Sequence, residues 1–293
     1  MKTLYNVADL SRQALHQWQK PSFSELERTP ACEVIDLALQ VRKNYLPGSG
    51  ARELYKFIRK TPELSNQLKG WGKHHFERLC LENGFRVISK RFIPKTTQRG
   101  SFVFPNLIAG TEIKDINRIW VSDISYIHSQ MGKLIGYATS LIDLYSRRLL
   151  GLSFSENMTA EQTAIAVIKQ GLKQRKMDYF ENLIFHSDGG KQYIDKLFLS
   201  LLANAQITSS MAENCLENGY AEAFNDTLKN HILAGMKINS YQQLSKQRKF
   251  IIKSYNTYKG HSGIDGFTPI EYENHILTLK SCQRTTLKVK EIL

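Results

Sequence analysis

The chain has 293 residues, 42% of them hydrophobic and 23% charged, with a formal net charge of +13. That length admits one large domain or two ordinary ones; no apolar run nears the roughly 18–20 residues of a bilayer span, and Met1-Lys2-Thr3-Leu4-Tyr5 does not begin a signal peptide. Cys32, Cys80, Cys215 and Cys282 are too scattered for a disulfide framework or a zinc site, so the expectation is a reduced, cytoplasmic protein that meets a polyanion.

The first hundred residues carry 18 Lys/Arg against 9 Asp/Glu and read as short helices. Val7 to Trp18 is one candidate. Val34, Ile35, Leu37, Ala38 and Val41 recur at helical spacing up to the break at Pro47-Gly48. A further helix runs from Ala51 through Leu54, Tyr55 and Ile58 and stops before Pro62; another holds Phe76, Leu79 and Cys80 and ends at Asn83-Gly84. Helices with a glycine turn between them suit a helix-turn-helix-like module, although a plain helical bundle fits the pattern nearly as well. From Asn83 to Thr111 there is no acid, while Arg86, Lys90, Arg91, Lys95 and Arg99 recur every few residues. Such a run is either a solvated linker or, preferably, a phosphate contact, since each neutralised phosphate releases counterions. Arg52 belongs to the same basic set.

Beyond Pro105 the period changes to two. Arg118–Ile127, Leu134–Ile142 and Leu149–Phe154 read as strands, with turns near Gly132-Lys133 and Ser146-Arg147, so an antiparallel meander is expected. A helix over about 159–173, a strand "NLIF" (182–185), a helix through Leu197, Leu201 and Leu202, a short strand near Ile207 and a long helix from Tyr220 follow. The order βββαβαβα is that of the ribonuclease-H-like fold, with a mixed five-stranded sheet and flanking helices. The expected division is a helical, helix-turn-helix-like region over 1–93, a basic linker over 94–114, an α/β core over 115–235 and a C-terminal helical extension over 236–293.

The acids fall at informative places. Asp123 interrupts an apolar strand, where a buried, unpaired charge costs several kcal/mol, so it needs a partner, water or a metal. Asp188 ends the "NLIF" strand in "FHSDGG", where a turn role is equally natural. Glu222 stands near the start of the last helix, with Lys229 seven residues on along the same face; Glu213, Glu217 and Asp226 are rivals that spacing alone does not eliminate. Asp143 precedes a turn and is assigned a structural role, and His186 a hydrogen-bonding or stacking one. Two strand aspartates and a helix glutamate converging on one point would suit Mg²⁺ or Mn²⁺, with two ions serving phosphodiester chemistry.

"WVSDISYI" (120–127), "SLIDLYSRRLLG" (140–151), "HSDGGKQY" (186–193), "SSMAENCLENGYAEAFNDTLKNH" (209–231) and "YNTYKGHSGIDGFTPIEYE" (255–273) occur in this order. Together they resemble the OrfB-type transposases of the IS-three insertion-sequence family, whose core is of the retroviral-integrase type. "VRKNYLPGSGARELYKFIRK" (41–60) and "FERLCLENGFRVISKRF" (76–92) extend the likeness over nearly the whole chain. The resemblance implies an acidic triad at Asp123, Asp188 and Glu222, a DNA-facing Lys229, two Mg²⁺ or Mn²⁺ ions, and a DNA contact at His261. It also implies double-stranded DNA ends and target as substrates, at least a dimer on DNA, an OrfA-type partner or fusion, and residence on the nucleoid of a bacterial cytoplasm. This sequence departs from the family in having two residues fewer between Asp188 and Glu222, Gly189 where a basic residue is usual, and no Arg-Pro before His261. The other readings are a catalytically silent DNA-binding regulator, disfavoured because all three acids and the lysine are present, and an RNA/DNA-hybrid nuclease on the same fold.

Overall fold

β-Branched and aromatic residues alternating through 119–155, broken only at two tight turns, leave this stretch one economical arrangement, a meander buried on both faces. The computed structural model describes residues 28–87, 104–129, 131–212 and 218–289. Three helices come first: α1 (Ala31–Asn44), α2 (Ala51–Lys60) and, after the single turn α3 (Pro62–Ser65), α4 (Lys73–Glu82). Their apolar stripes meet around Val34, Leu37, Leu54, Ile58, Phe76 and Cys80, all buried. Gly84, at φ +77°, supplies the left-handed residue that ends α4. The expected helix over Val7 to Trp18 lies outside the described residues, as do Lys90, Arg91, Lys95 and Arg99.

β1 (Glu112–Ile113) precedes the main sheet. β2 (Ile119–His128), β3 (Leu134–Asp143) and β4 (Leu149–Ser155) form the meander, turning at Gly132 (φ +81°) and Arg147 (φ +61°). After α5 (Ala164–Arg175) come β5 (Ile184–Ser187), α6 (Lys196–Asn204) and β6 (Thr208–Met211). Both of these strands run parallel to their neighbours, which gives a mixed five-stranded sheet in the order β4-β3-β2-β5-β6. The α/β, ribonuclease-H-like integrase fold expected from the strand order is the one observed. Trp120 and Leu141 face α5 and α6 with Phe185 and Phe198. Val121 and Ile142 face the opposite layer, which contains α7 (Gly219–Asp226) with Phe224, and Leu228 just beyond it.

Several boundaries differ from the sequence pattern, each for a local reason. α5 starts at Ala164 rather than 159, because the Thr163 hydroxyl donates to Thr159 O at 2.6 Å and closes a turn first. β5 starts two residues late because Asn182 takes a left-handed φ of +60°. The long helix from Tyr220 is regular only to Asp226; Thr227–Ile232 widens into a π-helical turn and Leu233–Gly235 tightens again.

The C-terminal part comprises α8 (Tyr241–Lys246), α9 (Arg248–Lys253) and α10 (Pro269–Thr278), the last held by a Thr268/Glu271 capping box with Pro269 in its first turn. It closes on β7 (Leu287–Lys288), which pairs with β1 through Glu112↔Lys288 and Ile113↔Leu287. Part of the expected linker is therefore folded onto the core, with Ile108 and Ile113 buried. Asp143, fully buried, accepts from the amides of Asn117 (2.7 Å), Tyr145 (3.1 Å) and Ser146 (3.0 Å). Arg175 lies 3.1 Å from it and grips Glu273 with both Nη atoms at 2.7 and 2.9 Å, while Arg148 adds a second cation to Glu273. Burial would raise Glu273, but the hydrogen bond and charge of Arg175, with Arg148, hold it below the ordinary glutamate value. Asp143 is structural, as its turn position suggested.

Candidate active site

β2 and β5 are parallel neighbours, with Ile119 opposite Ile184, Trp120 opposite Phe185 and Val121 opposite His186. Continuing that register two residues sets Asp188, just past the end of β5, beside Asp123. Adjacent strands lie about 4.8 Å apart and register partners point to the same face, so the two carboxylates are immediate neighbours. The Gly190 amide donates to Asp188 Oδ1 at 3.2 Å and fixes the carboxylate at the start of the following turn. His186 is buried and hydrogen-bonded through Nδ1 to Ser210 Oγ at 2.9 Å.

Burial raises the Asp123 pKa to about 7, and the Asp188 charge adds to it; Glu222 pushes the same way and Lys229 opposes. Burial raises Asp188 too, against the Gly190 amide. Glu222 sits on α7, exposed, with its pKa raised by partial burial, and Lys229 follows in the π-helical turn, half-buried and lowered by desolvation despite the Asp123 charge. Asp123 and Asp188 are thus side by side, and Glu222 and Lys229 lie on the covering helix within electrostatic reach. Among the described residues no group of three His, Cys, Asp or Glu side chains is close enough to hold a metal. Asp123 and Asp188, adjacent hard oxygen donors whose charged forms burial disfavours, fit a divalent cation; Glu222 would have to turn inward to join them.

Two residues of this site were not foreseen. Asn225, three positions after Glu222 and buried, donates from Nδ2 to Asp123 Oδ2 at 2.6 Å and ties α7 to β2. Its amide Oδ1 is buried without a hydrogen-bond partner. An asparagine inside a helix, where propensity disfavours it, was the available signal. Tyr193 is buried with its hydroxyl 3.0 Å from Ser122 Oγ, and desolvation, then the charges of Asp188 and Asp123, keep it a neutral phenol.

The other candidates are dispersed. Asp226 is exposed and accepts from Asn230 Nδ2 at 2.6 Å; Glu213 and Glu217 lie outside the described residues. Arg52 is exposed, 3.7 Å from Glu77, and Arg86 is exposed at the end of the helical region. His261 packs its ring 4.5 Å from that of Tyr255, and burial, aided by the charge of Lys259, pushes its pKa down to about 4. It is a neutral, largely covered imidazole.

A mixed sheet with this order, carrying aspartates at the middle of β2 and the end of β5, defines the class: an integrase core. Two family profiles, each described as Integrase core domain, match residues 115–214 and 205–269. The two matches together span residues 115–269, so the chain carries an integrase core domain, and over most of its length it is similar to IS3-type insertion-sequence proteins. It is 28% identical over 272 residues, 91% of this chain and 96% of the other, to the insertion element IS600 uncharacterized 31 kDa protein of Shigella sonnei. It is 27% identical over 261 residues, 88% of this chain and 98% of the other, to the transposase for insertion sequence element IS904 of Lactococcus lactis. Transposase InsF for insertion sequence IS3fB of Escherichia coli K12 is 32% identical over 164 residues, 55% of each chain. The HTLV-2 integrase catalytic core domain in complex with magnesium aligns with a TM-score of 0.42 and 16% identity, over 60% of this chain and 99% of that one.

Proposed function

We propose that this protein is a DNA transposase whose cleavage and joining site is built on Asp123, Asp188 and Glu222. The observation that carries the reading is the register of β2 and β5, which sets two half-buried carboxylates side by side where desolvation raises the pKa of both. The insertion-sequence relatives support DNA as the substrate.

Asp123 and Asp188 would hold the divalent cation, Mg²⁺ or Mn²⁺, and Glu222 would complete the set. Glu222 is one helical turn before Asn225, a Cβ spacing of about 5–6 Å, so its exposed side chain has the reach to turn in. When bound, two such ions supply activation of the attacking oxygen and stabilisation of the leaving one. Asn225 fixes the orientation of Asp123, and Lys229 offers its ammonium to the phosphate beside the carboxylates. Water is the nucleophile in the first step, which frees a 3′-OH at the element's end. That hydroxyl is the nucleophile in the second step. As the new P–O bond forms, one old P–O bond breaks, so the phosphodiester count is conserved and no energy-rich cofactor is consumed.

Arg52, Arg86, Lys90, Arg91, Lys95 and Arg99 would hold DNA backbone. His261, neutral and packed on Tyr255, has little charge to offer a phosphate, so its role is better read as supporting the core. Bringing two ends together requires at least two copies on DNA, with an OrfA-type protein as the natural helper.

Strand cleavage and joining on duplexes carrying the element's ends, with Mg²⁺ and the OrfA-type protein supplied, tests the reading. Wild type should produce nicked and joined strands, and Asp188→Asn should lose at least a hundredfold. Equal activity in both would remove Asp188 from the site. DNA binding without cleavage in either would indicate a silent regulator.

A further inference from the structure

The basic run expected near residue 90 is not the only one. From Thr227 to Ile264 there is no Asp or Glu, while Lys229, Lys237, Lys246, Arg248, Lys249, Lys253 and Lys259 recur. Part of this run faces the helical region across an open groove of about 900 Å³. One wall is the C-terminal end of α1, with Leu39, Arg42 and Lys43; the other is residues 236–250, with Lys237, Lys246 and Phe250. Lys43, Lys237 and Lys246 are exposed, and no carboxylate among the described residues lines the groove. Arg42 is held in place, its guanidinium 5.4 Å from the Phe85 ring and donating to Arg86 O at 3.4 Å.

The groove exists because two glycines touch across its floor. A Cβ on Gly48 would lie 1.4 Å from His231 O, and one on Gly235 would lie 2.2 Å from Gly48 N. Gly48 also has φ +75°, which L side chains rarely adopt. Around this contact Glu53 pairs with Lys259 at 2.6 Å, Ser254 Oγ donates to Tyr45 O at 2.6 Å, and Tyr45, Phe57 and Tyr258 cluster. Four cations are therefore brought together from two parts of the chain by contacts that do not neutralise them. A polyanion does neutralise them.

We infer that this groove is a second DNA-backbone site, distinct from the carboxylates and formed only when the helical region is docked on the core. The inference rests on the reading of the chain as a DNA transposase, and it places the contact. From Glu222 to Gly235 is thirteen residues along one helical path, about 20 Å at helical rise. Phosphates of one strand advance about 3.4 Å per nucleotide along the duplex axis, and the proposal sets that axis along the helical path. The groove would then hold backbone about six nucleotides from the phosphate at the carboxylates.

The test is equilibrium binding of a generic duplex of about 30 base pairs over a range of salt, comparing wild type, Lys43→Gln/Lys237→Gln/Lys246→Gln and Asp188→Asn. All three substituted lysines are exposed, and thermal melting confirms folding. Each lost phosphate contact removes about 0.9 from the slope of log K against log salt. The triple variant should therefore fall by about 2.7 while Asp188→Asn keeps the wild-type slope. A slope unchanged in the triple variant overturns the groove assignment and leaves the carboxylate site untouched. An unchanged slope joined to lost binding of the OrfA-type protein overturns it in favour of a protein interface. Ethylation interference on end-bearing DNA should show the lost contacts about six nucleotides from the cleaved bond, and loss elsewhere would refute the placement.

Discussion

Replacing Asp123 by Asn should stabilise the metal-free protein at alkaline pH. The Asp123 carboxyl rises from 3.8 to about 7 because burial, then Asp188, disfavour its charged form. A carboxyl whose pKa is higher folded than unfolded binds its proton more tightly in the folded state. Its favourable contribution is complete below about pH 4 and is lost as pH rises through 7. Three units correspond to about 4 kcal/mol, and weakening the Asn225 bond returns about 1 kcal/mol, so the net gain for Asp123→Asn is about 3 kcal/mol. Urea unfolding in EDTA should show that gain at pH 8 and little difference at pH 4.5. Adding Mg²⁺ should raise the stability of wild type and leave the variant where it was. A variant less stable than wild type at pH 8, or a difference independent of pH, would refute the argument that these carboxylates strain the fold for the sake of a cation.

Glu273→Ala should cost about 3–5 kcal/mol in urea unfolding, since it leaves Arg148 without its carboxylate and Arg175 with Asp143 alone. Gly48→Ala should lower the melting temperature and abolish the Glu53–Lys259 contact, read by loss of amide protection over residues 45–60, because its Cβ has no room against His231 O. Asn225→Ala should lower stability by about 1.5–3 kcal/mol, measured by urea unfolding with Mg²⁺ present, since it removes a hydrogen bond to a charged, half-buried carboxylate. If Asn225→Ala proved neutral in stability and in cleavage, its positioning role would fall.

Residues 119–155 were readable because both faces of the meander are buried, so apolar content and turn residues mark every strand. Asp123 stood out for the same reason, as a charge inside an apolar strand. Its neighbourhood was less visible. That Asp188 lies beside it follows from a parallel register that starts at Ile119↔Ile184, and no local pattern encodes the offset. The Asn225–Asp123 bond spans 102 positions and depends on how α7 lies on the sheet. The π-helical turn at Thr227–Ile232 changes the phase of the helix and hence what "the same face" means for Lys229. Pairing of β1 with β7 joins two dipeptides too short to carry any period. The groove charge was present in the composition, but only the meeting of Gly48 with Gly235 shows which lysines share a wall.

The grip of Arg175 on Glu273 has a consequence for the order in which the molecule becomes competent. Asp123, Asp188, Glu222 and Lys229 all leave the ribosome before Glu273, which lies 98 residues after Arg175. At that stage Arg175 has only Asp143 to balance it, Arg148 lacks its Glu273 partner, and β1 has no β7 to pair with. Every acid of the proposed site has then been translated, but the scaffold around them is incomplete. If the proposed site is the working one, the protein stays inert until Glu273 and β7 arrive, and a fragment ending near residue 235 should cleave DNA poorly although it contains all three proposed acids.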